Sequence, residues 1–103
     1  MGLLKRRSGA SSDQKVEREI TILNRLGLHA RPAAMFVRVA TRYRAEIWVD
    51  KEGEQVNGKS IMGLMMLAAG PGITITIQAT GKEAAVAVDA LCALVAARFG
   101  EED

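Results

Sequence analysis

The sequence predicts a two-layer α+β domain in which helices cover one face of a sheet, with elements in the order β-α-β-β-α-β-α. Three observations carry this. The best-patterned strand, Ile73-Thr74-Ile75-Thr76-Ile77-Gln78, is half polar and so belongs in a sheet with one wet face. Segments between the strands place apolar residues at helical spacing, and those stripes need a shared surface to cover. The chain has 103 residues, 49% hydrophobic but only 4% aromatic, enough for one core built from aliphatic side chains and too few for two.

Taken in order, Glu19-Ile20-Thr21-Ile22-Leu23-Asn24 is β-branched and partly alternating, and reads as the first strand. Arg25-Leu26-Gly27-Leu28 follows as a loop and leads to His29. Beyond it Ala33, Val37 and Ala40 repeat at helical spacing with Met35, Phe36 and Val39 beside them, while Arg38 and Arg42 lie opposite. Pro32 fits such a helix only in its first turn, where a missing N–H has no intrahelical acceptor.

Residues 45–50 read as a second strand, Lys51-Glu52-Gly53-Glu54 as a turn, and Gln55-Val56 as a short return closed by Asn57-Gly58. A short helix follows over residues 59–69, begun by Ser60 as N-cap and stopped by Gly70-Pro71-Gly72. After the isoleucine strand, Thr80-Gly81-Lys82-Glu83 opens the last helix, in which Ala84, Val88, Leu91 and Val95 form a stripe widened by Ala87 and Leu94. The stripes of the first and last helices are expected against the isoleucine face.

The net charge of +2 is unevenly spread. Lys5, Arg6, Arg7 and Lys15 against Asp13 give residues 1–15 a local +3, which leaves the remainder at −1. Residues 1–15 are polar and aperiodic and are expected to be a disordered basic extension, with the domain over 16–103. The near-neutral domain implies no polyanion partner, and Trp48 alone makes no stacking platform for nucleic acid. No secretory or membrane-spanning pattern is present, so no membrane insertion and a cytoplasmic location are expected. Cys92, the lone cysteine, sits among Ala, Leu and Val and reads as a small buried apolar residue.

The chemistry concentrates on the single histidine, His29, at a helix start with Arg31 two positions on. Helix-start N–H groups lack internal partners and carry the positive end of the dipole, so a phosphoryl group there is stabilised. The same field disfavours a positively charged imidazole, leaving an unprotonated ring nitrogen as nucleophile. Arg31 adds a planar fork suited to phosphate oxygens. One histidine and one cysteine cannot build an ordinary zinc site, no nucleotide loop is present, and no cofactor is implied. Spacing alone leaves a surface histidine or a plain helix cap as live alternatives to a covalent carrier.

Gly27-Leu28-His29-Ala30-Arg31-Pro32-Ala33, followed by Asn57-Gly58-Lys59-Ser60-Ile61-Met62-Gly63-Leu64-Met65, strongly resembles the histidine-containing phosphocarrier HPr family of the bacterial phosphoenolpyruvate:sugar phosphotransferase system over about residues 18–100. The resemblance implies an open-faced β-sandwich of four antiparallel strands and three helices. It implies that His29 accepts a phosphoryl group on Nδ1 from enzyme I and passes it to a histidine of an IIA protein, so that the chain is a substrate rather than a catalyst. It assigns phosphate neutralisation to Arg31 and supporting places to Pro32 and Asn24. Ile61, Met62 and Met65 become a docking patch beside His29, for which exposed methionines are suited. Ser60 takes the place of a serine phosphorylated by HPr kinase/phosphorylase in many bacteria, which makes a regulatory binding module controlled at Ser60 the alternative function. The chain is expected to act as a monomer. The basic extension, and Met66 with Ala68-Ala69, depart from sugar-transport members and look more like regulatory, nitrogen-type ones.

Overall fold

The computed structural model describes residues 14–101. Four strands, β1 (Gln14–Thr21), β2 (Glu46–Lys51), β3 (Glu54–Asn57) and β4 (Thr74–Gly81), alternate with helices α1 (Ala30–Ala40), α2 (Ile61–Met66) and α3 (Ala84–Ala96). A 3-10 turn, Arg98–Gly100, follows α3. All pairings are antiparallel and the strand order is β1-β4-β2-β3. The order of elements is the one the sequence predicts.

β4 is one of the two interior strands, paired on both sides: Ile77 faces Arg18 of β1 and Val49 of β2. Its buried positions are Ile75, Ile77 and Ala79, alternating with more exposed polar residues. α3 lies on β1 and β4, and α1 packs on α2 and α3. Phe36 of α1, Leu91 of α3 and the β4 isoleucines join one buried cluster. Each fully buried Leu, Ile or Phe contributes about 1.5–3 kcal/mol of transfer free energy, so this cluster is the main stabilising term.

Three boundaries differ from the expected ones. β1 runs over Gln14–Thr21 rather than 19–24 and takes in Gln14 and Lys15, which composition assigns to the extension. As an edge strand it offers only Val16 and Ile20 to the core, so a polar stretch is enlisted by pairing with β4, a non-local cause. The rest of the expected extension lies outside the described residues.

α2 ends at Met66 rather than near Ala69, because Ala68 takes a left-handed conformation at φ 52° and the Leu67 carbonyl accepts from Lys51 Nζ at 2.8 Å. β4 continues to Gly81, since Ala79 extends the buried face set by the isoleucines. The hairpin matches expectation: Glu52 and Gly53 both adopt positive φ, as a two-residue turn between twisted strands requires.

Candidate active site

The loop between β1 and α1 is tied to the core on both sides of Gly27. Ile22 and Leu28 are buried, and the Leu28 N–H donates to the Ala69 carbonyl at 3.0 Å. Gly27 holds φ +65°, and a Cβ on it would collide with the Ala69 carbonyl oxygen. A glycine is required there both for its backbone angle and for the close approach. Asn24 is fully buried, and its amide Nδ2 donates to the Gly27 carbonyl at 2.8 Å.

This loop delivers His29 as the N-cap of α1, in extended conformation. The Ala33 N–H donates to the His29 carbonyl at 3.0 Å, the first bond of the helix. The N–H groups of Ala30 and Arg31 therefore have no acceptor within α1, and buried Pro32 has none to satisfy, as first-turn placement predicts.

The His29 side chain is 34% exposed, and its Nε2 lies 2.8 Å from Glu101 Oε2. A carboxylate only accepts, so in this bond the proton sits on Nε2, and in the neutral form of the ring the lone pair is on Nδ1. Arg31, 60% exposed, donates from a guanidinium nitrogen to the same Oε2 at 3.1 Å. Asn24 Nδ2 donates to Oε1 at 2.9 Å. The two Glu101 oxygens thus collect three predicted site residues. The Asn24 hydrogen bond is the main cause that holds the Glu101 carboxyl below its ordinary range; burial opposes it, and the His29 and Arg31 bonds reinforce it.

Glu101 is the residue that sequence reasoning misses. The only signal is an acidic end after Gly100, with nothing to say which carboxylate turns back 72 residues to His29. What turns it is a run of left-handed residues, Arg98 (φ 58°), Phe99 (φ 54°) and Gly100 (φ 74°), with the Phe99 ring fully buried.

The second predicted motif lies on α2. Ser60 is its N-cap, and Ser60 Oγ accepts from the Gly63 N–H at 3.0 Å. Only Leu64 of this helix is buried; Ile61, Met62, Met65 and Met66 are all exposed, Met62 by 74%. Met65 lines one shallow depression with His29, Leu26 and Leu28. Leu26, 62% exposed and unremarked in sequence, adds to that apolar surface. Ile61 and Met62 lie on the same helix but do not line the depression that holds His29. Among the described residues, no three His, Cys, Asp or Glu side chains gather to hold a metal ion, and no helix is long and apolar enough to cross a membrane.

An imidazole held through Nε2 at a helix start, beside a guanidinium and an apolar shelf, can in its neutral form bind an anion and attack an electrophile through Nδ1. The family model described as "PTS HPr component phosphorylation site" matches residues 16–97. Phosphocarrier protein HPr of Cupriavidus necator is 48% identical over 86 residues, spanning 84% of this chain and 97% of its own. Phosphocarrier protein NPr of Shewanella violacea is 45% identical over 87 residues, 84% of this chain and 96% of its own. Among solved structures, HPr from Thermoanaerobacter tengcongensis superposes with a TM-score of 0.82 at 44% identity, covering 85% of this chain and 99% of that one. The chain therefore belongs to the HPr family of phosphotransferase-system phosphocarriers.

Proposed function

We propose that the chain carries a phosphoryl group on His29 Nδ1 between phosphorylated enzyme I and a histidine of an IIA-type protein, in the cytoplasm. The observation that carries this reading is the bond from His29 Nε2 to Glu101, which in the neutral ring leaves Nδ1 as the nitrogen with a lone pair. That lone pair attacks phosphorus. The bond from phosphorus to the donor's histidine nitrogen breaks, and its electron pair stays on that nitrogen. The reverse sequence, with the IIA histidine as nucleophile, empties the site. Arg31 and the free N–H groups at the start of α1 offset charge on the moving group.

A partly open site suits a carrier, since each partner completes it on docking. Leu26, Ile61, Met62 and Met65 supply exposed apolar surface for transient docking. The test is incubation with phosphoenolpyruvate and a cognate enzyme I. An acid-labile, base-stable phosphate forms on the native chain and is absent from H29A; a labelled H29A overturns the reading.

A second reading rests on Ser60, a half-buried cap whose hydroxyl already faces a helix start. A phosphate there, added by a kinase of the HPr kinase/phosphorylase type, would place about two negative charges next to exposed Ile61 and Met62 and weaken apolar docking. ATP-dependent, acid-stable labelling that S60A abolishes supports this regulation.

A further inference from the structure

We infer that Glu101 is a positioning residue for His29, holding the imidazole in the Nε2–H tautomer with its Nδ1 lone pair ready for transfer. The inference rests on the reading of His29 as phosphoryl acceptor and adds a residue outside the segment, 16–97, that the family model matches.

Three observations carry it. First, the contacts form a directed chain. The Asn24 amide uses both its donors, on the Gly27 carbonyl and on Glu101 Oε1, and Glu101 Oε2 then accepts from His29. A buried amide thereby orients a carboxylate, which orients an imidazole, and ring orientation together with proton placement is what such outer partners set.

Second, the carboxylate is confined. The Glu101 side chain is only 16% exposed, whereas Arg31, its third partner, is 60% exposed and binds through the longest of the contacts. The fixed part of the cluster is Asn24–Glu101–His29, and Arg31 is the arm free to swing onto a phosphoryl group.

Third, the tail that carries Glu101 is held in a conformation side chains rarely adopt. Arg98 and Phe99 both take positive φ, and the Phe99 ring is fully buried. Strain of this kind persists only where surrounding contacts over-determine it, and here the buried ring does so. Glu101 then leaves the turn in extended conformation and reaches the ring.

The test uses the full chain with its histidine ring nitrogens labelled, as native protein, E101A and E101Q. In E101Q the Asn24 donor holds the amide oxygen, which turns the amide NH2 toward Nε2 as a donor, so this variant keeps the size of the side chain and reverses the bond to the ring. At a pH where the ring is neutral, native protein gives nitrogen shifts of the Nε2–H tautomer with an observable ring N–H resonance, and in E101Q the shifts move toward the Nδ1–H tautomer. In E101A the resonance is lost to exchange and the shifts move toward a tautomer mixture. Phosphoryl acceptance from enzyme I falls about tenfold in E101A, as outer-partner removal commonly does, and at least as far in E101Q, where the proton is favoured on Nδ1. Unchanged ring shifts in E101A, or an unchanged acceptance rate, overturn the inference. If the native chain accepts no phosphoryl group, the carrier reading fails, while the ring shifts of E101A against native protein still decide whether Glu101 sets the tautomer.

Discussion

Gly27 and Ala69 meet backbone to backbone: the Ala69 carbonyl accepts from the Leu28 N–H, and no side chain fits on Gly27 between them. This contact joins the loop that carries His29 to the segment after α2, and it fixes where α1 begins. In G27A the added methyl must displace a backbone carbonyl while the residue holds a left-handed angle. The expected loss is about 2–4 kcal/mol in urea unfolding, combining left-handed strain with a steric clash in a packed site. A loss below about 1 kcal/mol would mean that the loop relaxes at little cost.

Much of this was legible in the residues. The alternation over 73–78 announces an interior strand, and Pro32 locates a helix start, because each signal is local: a period of two in one, a missing donor in the other. The helix stripe of Ala84, Val88, Leu91 and Val95 is likewise buried as the spacing predicts. What was hidden depends on contacts across the chain. The first half of β1 has no apolar alternation and becomes a strand because β4 offers it a ladder. Glu101 belongs to the site because Phe99 anchors the turn before it, and no periodicity records that.

Ser60 makes a separable contribution to α2. Its hydroxyl accepts the Gly63 N–H, one of the unpaired donors of a helix only six residues long. S60A is expected to lose about 1 kcal/mol of stability, the usual cost of an N-cap removed to alanine, measured by urea unfolding. Phosphoryl acceptance at His29 should survive in S60A, since the Ser60 hydroxyl is engaged with Gly63 while His29 and Arg31 are held by Glu101. Loss of both together would mean that the two motifs act as one site.

The lowered Glu101 carboxyl makes part of the fold's stability depend on pH, with a definite sign. A carboxyl more acidic in the folded than in the unfolded chain contributes above its unfolded value, and the contribution disappears as pH falls through the folded one. Native protein should therefore exceed E101Q in stability at neutral pH, and the difference should shrink once the pH falls below the ordinary carboxylate range. Thermal unfolding of the two from neutral pH into acid checks the sign. Convergence at neutral pH with divergence in acid would reverse it.

Cys92 gives a test of packing. Its thiol is buried on α3, and burial pushes its pKa up, only partly opposed by the nearby Arg18 guanidinium. Because the thiolate is the reactive form, alkylation by iodoacetamide at about pH 8 should be slow in the folded chain and should accelerate by at least about tenfold in denaturant. Equal rates in both conditions would show that α3 opens freely around Cys92.

Arg31 separates charge from geometry at the site. Its guanidinium donates to Glu101 Oε2 at 3.1 Å from a side chain 60% exposed, so replacing it costs the fold little. On the carrier reading its value lies in a fork that meets two phosphoryl oxygens at once. R31K keeps the charge and loses the parallel second bond. One hydrogen bond to a charged group is worth about 1.5 kcal/mol, which converts to a fall of about tenfold in the rate of phosphoryl acceptance from enzyme I, with unfolding nearly unchanged. R31A, lacking both charge and fork, should fall further. If R31K transfers at the native rate while R31A does not, a point charge suffices and the fork has no role in the transfer.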